Sequence, residues 1–300
     1  MDRTRIFKAA ATNRPPDKDT ELDRQVEEAY ATLLARCAPE TQVRRVAWSQ
    51  GETQVLELRA GPPLLLVHGG GGSAFEWVPI LQALARNHRV LAVDRPGHGL
   101  ADPFDYRGVD LLEHARTFLR DVLDALELRG VEIVANSIGG LWCVAFALVA
   151  PERVSRLALV GRRLGRLLLS NPTRDSSRKF WGQLLVAHPE RLDKSLLDAD
   201  VAHMRRNRES VIGLMQCVVG VGGLRRHLLL GERWQEAKVP TVFLWGERDA
   251  FMTPKMREAW EPIASRNPNI SITRVPDAGH LPWIDAPERV VDEIEAFLAS

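Results

Sequence analysis

Val131-Glu-Ile-Val-Ala-Asn-Ser-Ile-Gly-Gly140 reads as a buried strand that breaks into a tight turn at Ser137 and continues as a helix. A turn this sharp needs small residues two before and two after the serine, and the chain supplies Ala135 and Gly139, with Gly140 easing helix packing. Ala135 stands where the common form of this turn has glycine, a difference of one methyl group. The helix opening at Ile138 aims its dipole and free N–H groups at Ser137, where an anion could develop. A serine here also fits a plain helix cap, so the choice rests on the rest of the chain.

Upstream, Leu64-Leu-Leu-Val-His-Gly-Gly-Gly-Gly-Ser73 ends another apolar run in four glycines. Such a backbone carries no side chains and can approach a reacting carbonyl closely. Gly70 and Ile138 are the candidate donors of an oxyanion hole. A phosphate cradle would need a Lys-Ser/Thr pair or the dinucleotide glycine spacing, and the chain has neither here. His68 is read as supporting the loop. Gly71, Asn136, Trp142 and Trp283 are the candidate substrate contacts, by their closeness in sequence to the reactive residues.

Downstream, Asp249 follows the apolar run Thr241 to Trp245, with Glu247 as its rival, and His280 follows the last run in Pro276-Asp-Ala-Gly-His-Leu-Pro-Trp283. The order Ser137, Asp249, His280 is the one expected of a nucleophile, an orienting acid and a general base on this type of sheet. A serine hydroxyl attacks poorly near neutral pH unless an imidazole takes its proton, and a carboxylate fixes the imidazole tautomer.

Further out, short apolar runs at Leu64 to Val67, Val90 to Val93, Val131 to Ala135, Leu157 to Val160, Thr241 to Trp245 and Ile270 to Val275 read as strands buried on both faces. Amphipathic helical stretches near 74–86, 110–128, 138–150, 254–265 and 287–299 separate them. This alternation predicts an α/β fold with a mostly parallel, doubly wound sheet. Alternating segments at Val43 to Ser49 and Thr53 to Leu58 predict antiparallel strands at its edge. Residues 1–40 read as an N-terminal helical arm, with a helix over about 19–37. Residues 41–161 and 239–300 read as the core, and 162–238 as a helical insertion after the sixth strand.

The 300 residues carry 40 Lys and Arg against 39 Asp and Glu, so no global field selects nucleic acid or an anionic membrane. No leader-like segment and no apolar stretch of membrane-spanning length is read, which gives the expectation of a cytoplasmic protein. Cys37, Cys143 and Cys217 lack the spacing of a zinc site or a disulfide framework and are read as buried thiols. No metal or cofactor is expected; the expected partner is a small-molecule substrate, and a homo-oligomer is compatible with the sequence.

On the motifs His68-Gly-Gly-Gly-Gly, Asp94-Arg-Pro-Gly-His-Gly99, Asn136-Ser-Ile-Gly-Gly140, Trp245-Gly-Glu-Arg-Asp249 and Gly279-His-Leu-Pro-Trp283, the chain resembles the α/β-hydrolase superfamily over about residues 43–300. It is most similar to the serine-nucleophile branch of esterases, haloperoxidase-like enzymes and meta-cleavage-product C–C hydrolases. The resemblance implies that 94–99 is a structural turn, leaving His98 outside the catalytic set, and that 162–238 caps the serine. It implies either acyl-enzyme hydrolysis of a small, largely apolar ester or C–C hydrolysis of a diketone acid. Many C–C hydrolases carry Trp after the histidine, where this chain has Leu281. A non-catalytic ligand-binding protein on the same fold is the third reading.

The insertion holds fifteen Lys and Arg against eight Asp and Glu. Arg162, Arg163, Arg166, Arg174 and Arg178 are therefore candidates to hold an anionic substrate, against the alternative of a solvated helical surface. Phe180, Trp181, Leu184, Met204, Met215 and Leu228 to Leu230 supply apolar surface for a pocket roof or for the insertion's own core.

Overall fold

The computed structural model describes residues 20–161, 172–220, 223–224, 228, 231–252 and 254–300. After helix α1 (Thr20–Cys37) come strands β1 (Gln42–Trp48), β2 (Gly51–Leu58) and β3 (Pro63–Val67), helix α2 (Val78–Leu84) and β4 (Arg89–Val93). Helix α3 (Leu111–Ala125), β5 (Val131–Asn136), α4 (Ser137–Ala147) and β6 (Val154–Val160) follow. The insertion then runs through α5 (Arg174–Leu184), α6 (Lys194–Val218) and a two-rung hairpin of β7 (Val219–Gly220) and β8 (Gly223–Leu224). The chain returns to the sheet in β9 (Thr241–Gly246), α7 (Pro254–Arg266), β10 (Ile270–Val275), α8 (Pro282–Asp285) and α9 (Pro287–Leu298).

The main sheet has eight strands in the order β1-β2-β4-β3-β5-β6-β9-β10. β1 pairs antiparallel with β2 and β2 antiparallel with β4, while the remaining neighbours are parallel. The α/β-hydrolase fold read from the sequence is the one observed. Parallel strands need crossover helices on both faces, which accounts for the apolar character of β3 and β5: Leu64 to Val67 and Ile133 to Ala135 are all fully buried. Asp110 caps α3 by accepting from the amides of Leu112 and Glu113, which sets that helix's start where the apolar period begins. The stretch read as one helix over 74–86 is a 3₁₀ turn (Ala74–Trp77) leading into α2, whose second residue is Pro79.

Helix α1 buries Val26, Tyr30, Leu33 and Leu34, a stripe at helical spacing, and lies against both α6 and α2. Ion pairs Arg206–Asp23 and Arg36–Asp193, the latter at 2.7 Å, tie it to the insertion. The Tyr30 hydroxyl bonds the Ser73 hydroxyl, the residue that closes the glycine run. The arm therefore braces the insertion and the glycine loop together. Leu33→Ala leaves a hole in this seam and is expected to cost about 2–5 kcal/mol, read as a lowered denaturant midpoint with unchanged slope. Among the described residues no helix is long and apolar enough to cross a membrane.

Candidate active site

Ser137 sits where β5 turns into α4, at φ 51°, a left-handed conformation that a serine adopts only under constraint. The constraint is the closeness of neighbouring backbones. A β-carbon at Gly139 would overlap the carbonyl oxygens of Val67 and His68 at the end of β3. One at Gly161, where φ is 63°, would overlap the carbonyl oxygen of His280. Glycine at these two positions lets β3, the serine turn and the histidine loop meet.

The helix behind Ser137 keeps its first amides open. Asn136 occupies the cap position but makes no side-chain cap; its Nδ2 donates instead to the Val160 carbonyl at 2.6 Å. The Ser137 amide donates to the Gly161 carbonyl at 3.3 Å. The next amide, that of Ile138, belongs to the set that lacks an intrahelical acceptor.

The glycine loop is oriented from below. The Gly69 carbonyl oxygen faces His68 Nδ1 at 2.8 Å and accepts from Arg95 Nη2 at 2.5 Å, and the Gly70 carbonyl oxygen lies 3.1 Å from His98 Nε2. All peptide bonds here are trans. The C=O and N–H of a trans peptide point to opposite sides, so the Gly70 and Gly71 amides turn away from Arg95 and His98. His68 Nε2 accepts from the Arg95 amide at 2.9 Å, which leaves the proton on Nδ1. Burial drives His68 and His98 well below the usual histidine range, so these imidazoles are neutral supports. Asp94 completes the brace by accepting from the Ala74 amide at 2.8 Å and the Leu100 amide at 3.0 Å.

Asp249 follows β9, and its Oδ2 lies 3.0 Å from His280 Nδ1. Its other oxygen accepts from the Phe251 amide at 2.8 Å. Asp249 and His280 are both buried, whereas Glu247 is exposed; Asp249 is the carboxylate that reaches the ring. The histidine loop is anchored by Asp285, which accepts from the amides of Gly279, Ala187 and His188 at 2.8 to 3.0 Å. The Leu281 amide donates to the Leu185 carbonyl at 2.8 Å. The insertion and the histidine loop are thus held to each other through backbone groups.

Ser137 and His280 line one cavity of about 50 Å³, together with Gly69, Gly70, Gly71 and Asn136. The insertion closes it with Phe180, Trp181, Leu185 and Met215. This volume is small beside the roughly 300–1,000 Å³ of ordinary ligand pockets.

Trp142 and Trp283 do not reach the cavity, contrary to expectation. Trp142 is fully buried among His114, Phe118 and the Arg95 guanidinium. Trp283 stacks on Trp77 with ring centroids 4.2 Å apart and donates to the Glu76 carbonyl at 2.8 Å. Both are core. Arg174 pairs with Asp198 through two contacts of 2.5 and 2.8 Å, and Arg178 donates to the Pro189 carbonyl at 2.7 Å. Neither lines the cavity. Arg162, Arg163 and Arg166 lie outside the described residues.

Two residues that the sequence reading passed over do line it: Glu76, from the turn after the glycine loop, and Asp200, from α6. Burial, reinforced by the charge of Asp200, pushes Glu76 up to about 8. Burial pushes Asp200 up to about 6, although Ser177 and Trp181 beside it hold it lower than burial alone would.

Residues 64–293 match the sequence profile described as the alpha/beta hydrolase family. The chain belongs to that family. It is 30% identical over 248 residues to the dihydrolipoyllysine-residue acetyltransferase component of the acetoin cleaving system of Pseudomonas putida, covering 79% of this chain and 64% of that protein. It is 29% identical over 208 residues to a 2-hydroxy-6-oxononadienedioate/2-hydroxy-6-oxononatrienedioate hydrolase of Cupriavidus pinatubonensis, covering 63% of this chain and 71% of that one. The crystal structure of carboxylesterase CesB from Bacillus subtilis superposes with a TM-score of 0.76 at 22% identity, covering 93% of this hydrolase and 98% of CesB. That likeness is one of fold.

Proposed function

We propose that this hydrolase cleaves a compact, largely apolar carboxylic ester through an acyl-enzyme on Ser137. The observation that carries the reading is the joint one: a serine at a strained turn lines the same cavity as a histidine that a buried aspartate orients. In the first half-reaction Ser137 Oγ adds to the ester carbonyl carbon while His280 Nε2 takes its proton. The oxygen anion so formed is held by the amides of Gly70 and Ile138, each donor contributing about 2.7–4 kcal/mol. Collapse breaks the bond to the alcohol, which leaves with the proton from His280. Water, activated by the same ring, then adds to the acyl-enzyme and frees the acid and the serine.

The second reading, C–C hydrolysis of a diketone acid, is supported by the 29% identical relative. Against it, the described residues lining the cavity include two carboxyl groups and no lysine or arginine, a poor setting for a dianion. A series of p-nitrophenyl esters from acetyl to dodecanoyl, assayed beside a meta-cleavage dienol acid, separates the readings. The expected result is a maximum at short acyl chains, with a dead-time burst and the acyl mass on Ser137. Faster turnover of the dienol acid than of every ester would transfer the assignment to C–C cleavage. Absence of all turnover would transfer it to a binding protein.

A further inference from the structure

Glu76 is 4% exposed, and its Oε2 has no hydrogen-bond partner, although the carboxyl group lines the same cavity as Ser137 and His280. Asp200, 5% exposed, lines that cavity from the opposite element, helix α6. A buried polar atom without a partner is costly, and this one belongs to a carboxyl group on the wall of the cavity that holds Ser137. The loop is also shaped around this carboxyl: a β-carbon at Gly72 would overlap both Glu76 oxygens.

We propose that Glu76 and Asp200 form a subsite for a protonated amine, so that the ester taken by this enzyme carries an ammonium group close to its scissile carbonyl. The inference rests on the reading of Ser137 as an ester-cleaving nucleophile and adds the chemistry of the substrate. An ammonium N–H satisfies the orphan Oε2 with a charge-assisted bond, and its charge is matched by Asp200. The apolar side chains of Phe180, Leu185 and Met215 surround the rest of the molecule. With Glu76 raised to about 8 and Asp200 to about 6, the empty pair keeps about one proton near pH 7. An arriving cation displaces that proton, so the cavity never holds two uncompensated charges. Among the described residues Ser137, Asn136 and His280 are other polar side chains lining the cavity, Tyr30 lies within electrostatic reach of Glu76, and the Gly69 amide and Arg95 favour its charged form. The candidate arginines of the insertion point the other way, toward an anionic substrate, but the two of them that are described, Arg174 and Arg178, are engaged with Asp198 and Pro189.

Two pairs of shape-matched esters test this. 2-(Dimethylamino)ethyl butyrate against 3-methylbutyl butyrate places the charge on the alcohol side. Ethyl 3-(dimethylamino)propanoate against ethyl 4-methylpentanoate places it on the acyl side. In at least one pair the native protein is expected to favour the cationic member by at least about tenfold in kcat/KM. That ratio is expected to fall to near one in Glu76→Gln and in Glu76→Gln/Asp200→Asn, whatever the absolute rates. A native preference for the neutral member in both pairs overturns the subsite, as does a preference that survives both variants. Calorimetric titration of Ser137→Ala with the two aminoesters reads the subsite without turnover. Binding by Ser137→Ala, together with a native protein that hydrolyses no ester, would sink the esterase reading and leave the ammonium subsite standing. Equal binding of aminoester and isostere would sink the subsite alone.

Discussion

Replacing Ser137 with alanine is expected to lower ester turnover by on the order of 10⁴- to 10⁶-fold, and to abolish covalent labelling by a fluorophosphonate. The expectation follows from the position of the hydroxyl: it stands at the head of α4, beside a glycine loop whose Gly69, Gly70 and Gly71 line the same cavity. Alanine keeps the β-carbon and so the same backbone strain at φ 51°. Stability of Ser137→Ala should therefore stay within about 0.5 kcal/mol of the native protein. Ser137→Gly is equally deprived of the nucleophile but relieves the left-handed conformation, and should be about 1 kcal/mol more stable. Intact mass after labelling, kcat, and a denaturant midpoint read the three effects separately. Turnover and labelling that persist without the hydroxyl would remove Ser137 from the chemistry.

The same turn shows why so much of this fold was legible. Strands buried on both faces must be continuous apolar runs, and those at Leu64, Val90, Val131, Leu157 and Thr241 fall within β3, β4, β5, β6 and β9. The run at Ile270 does form β10, but contrary to expectation it is not buried on both faces: it is an edge strand that leaves Ser271 and Arg274 exposed. Backbone collisions that only glycine avoids, as at Gly139, also leave a readable mark. What escaped has equally physical reasons. Trp142 is five residues after Ser137, which carries it about 140° around the helix and away from the cavity. Trp283, three residues past His280, is turned by α8 onto Trp77. Closeness along the chain said nothing about direction. Glu76 and Asp200 sit in Ala74-Phe-Glu-Trp77 and Leu196-Leu-Asp-Ala-Asp200, where an acidic residue among apolar ones looks like the polar face of a helix. Only the packing of α6 against the turn Ala74–Trp77 brings both to one cavity. The two candidate arginines of the insertion whose side chains are described, Arg174 and Arg178, turn to Asp198 and Pro189 for the converse reason: net charge over a segment does not say which side chains turn inward.

Asp249→Asn is expected to lower kcat by about 10⁴-fold while leaving the fold and the fluorophosphonate-accessible hydroxyl in place. The aspartate can only accept, so it selects the His280 tautomer with the proton on Nδ1 and leaves Nε2 with a lone pair for the serine proton. An asparagine at the same 3.0 Å can present its NH₂ group to Nδ1 instead. The imidazole proton then moves to Nε2, and the ring has no base where one is needed. The carboxylate also stabilises the imidazolium formed as Ser137 attacks, and the neutral amide does so far less. Glu247→Gln, at an exposed position two residues away, is expected to change kcat by less than about twofold. Burial separates the two acids more sharply than sequence spacing does, because only a carboxylate shielded from water holds the ring with full electrostatic force. If Glu247→Gln proved the damaging change and Asp249→Asn the silent one, the histidine would take its orientation from a different acid than the 3.0 Å contact indicates.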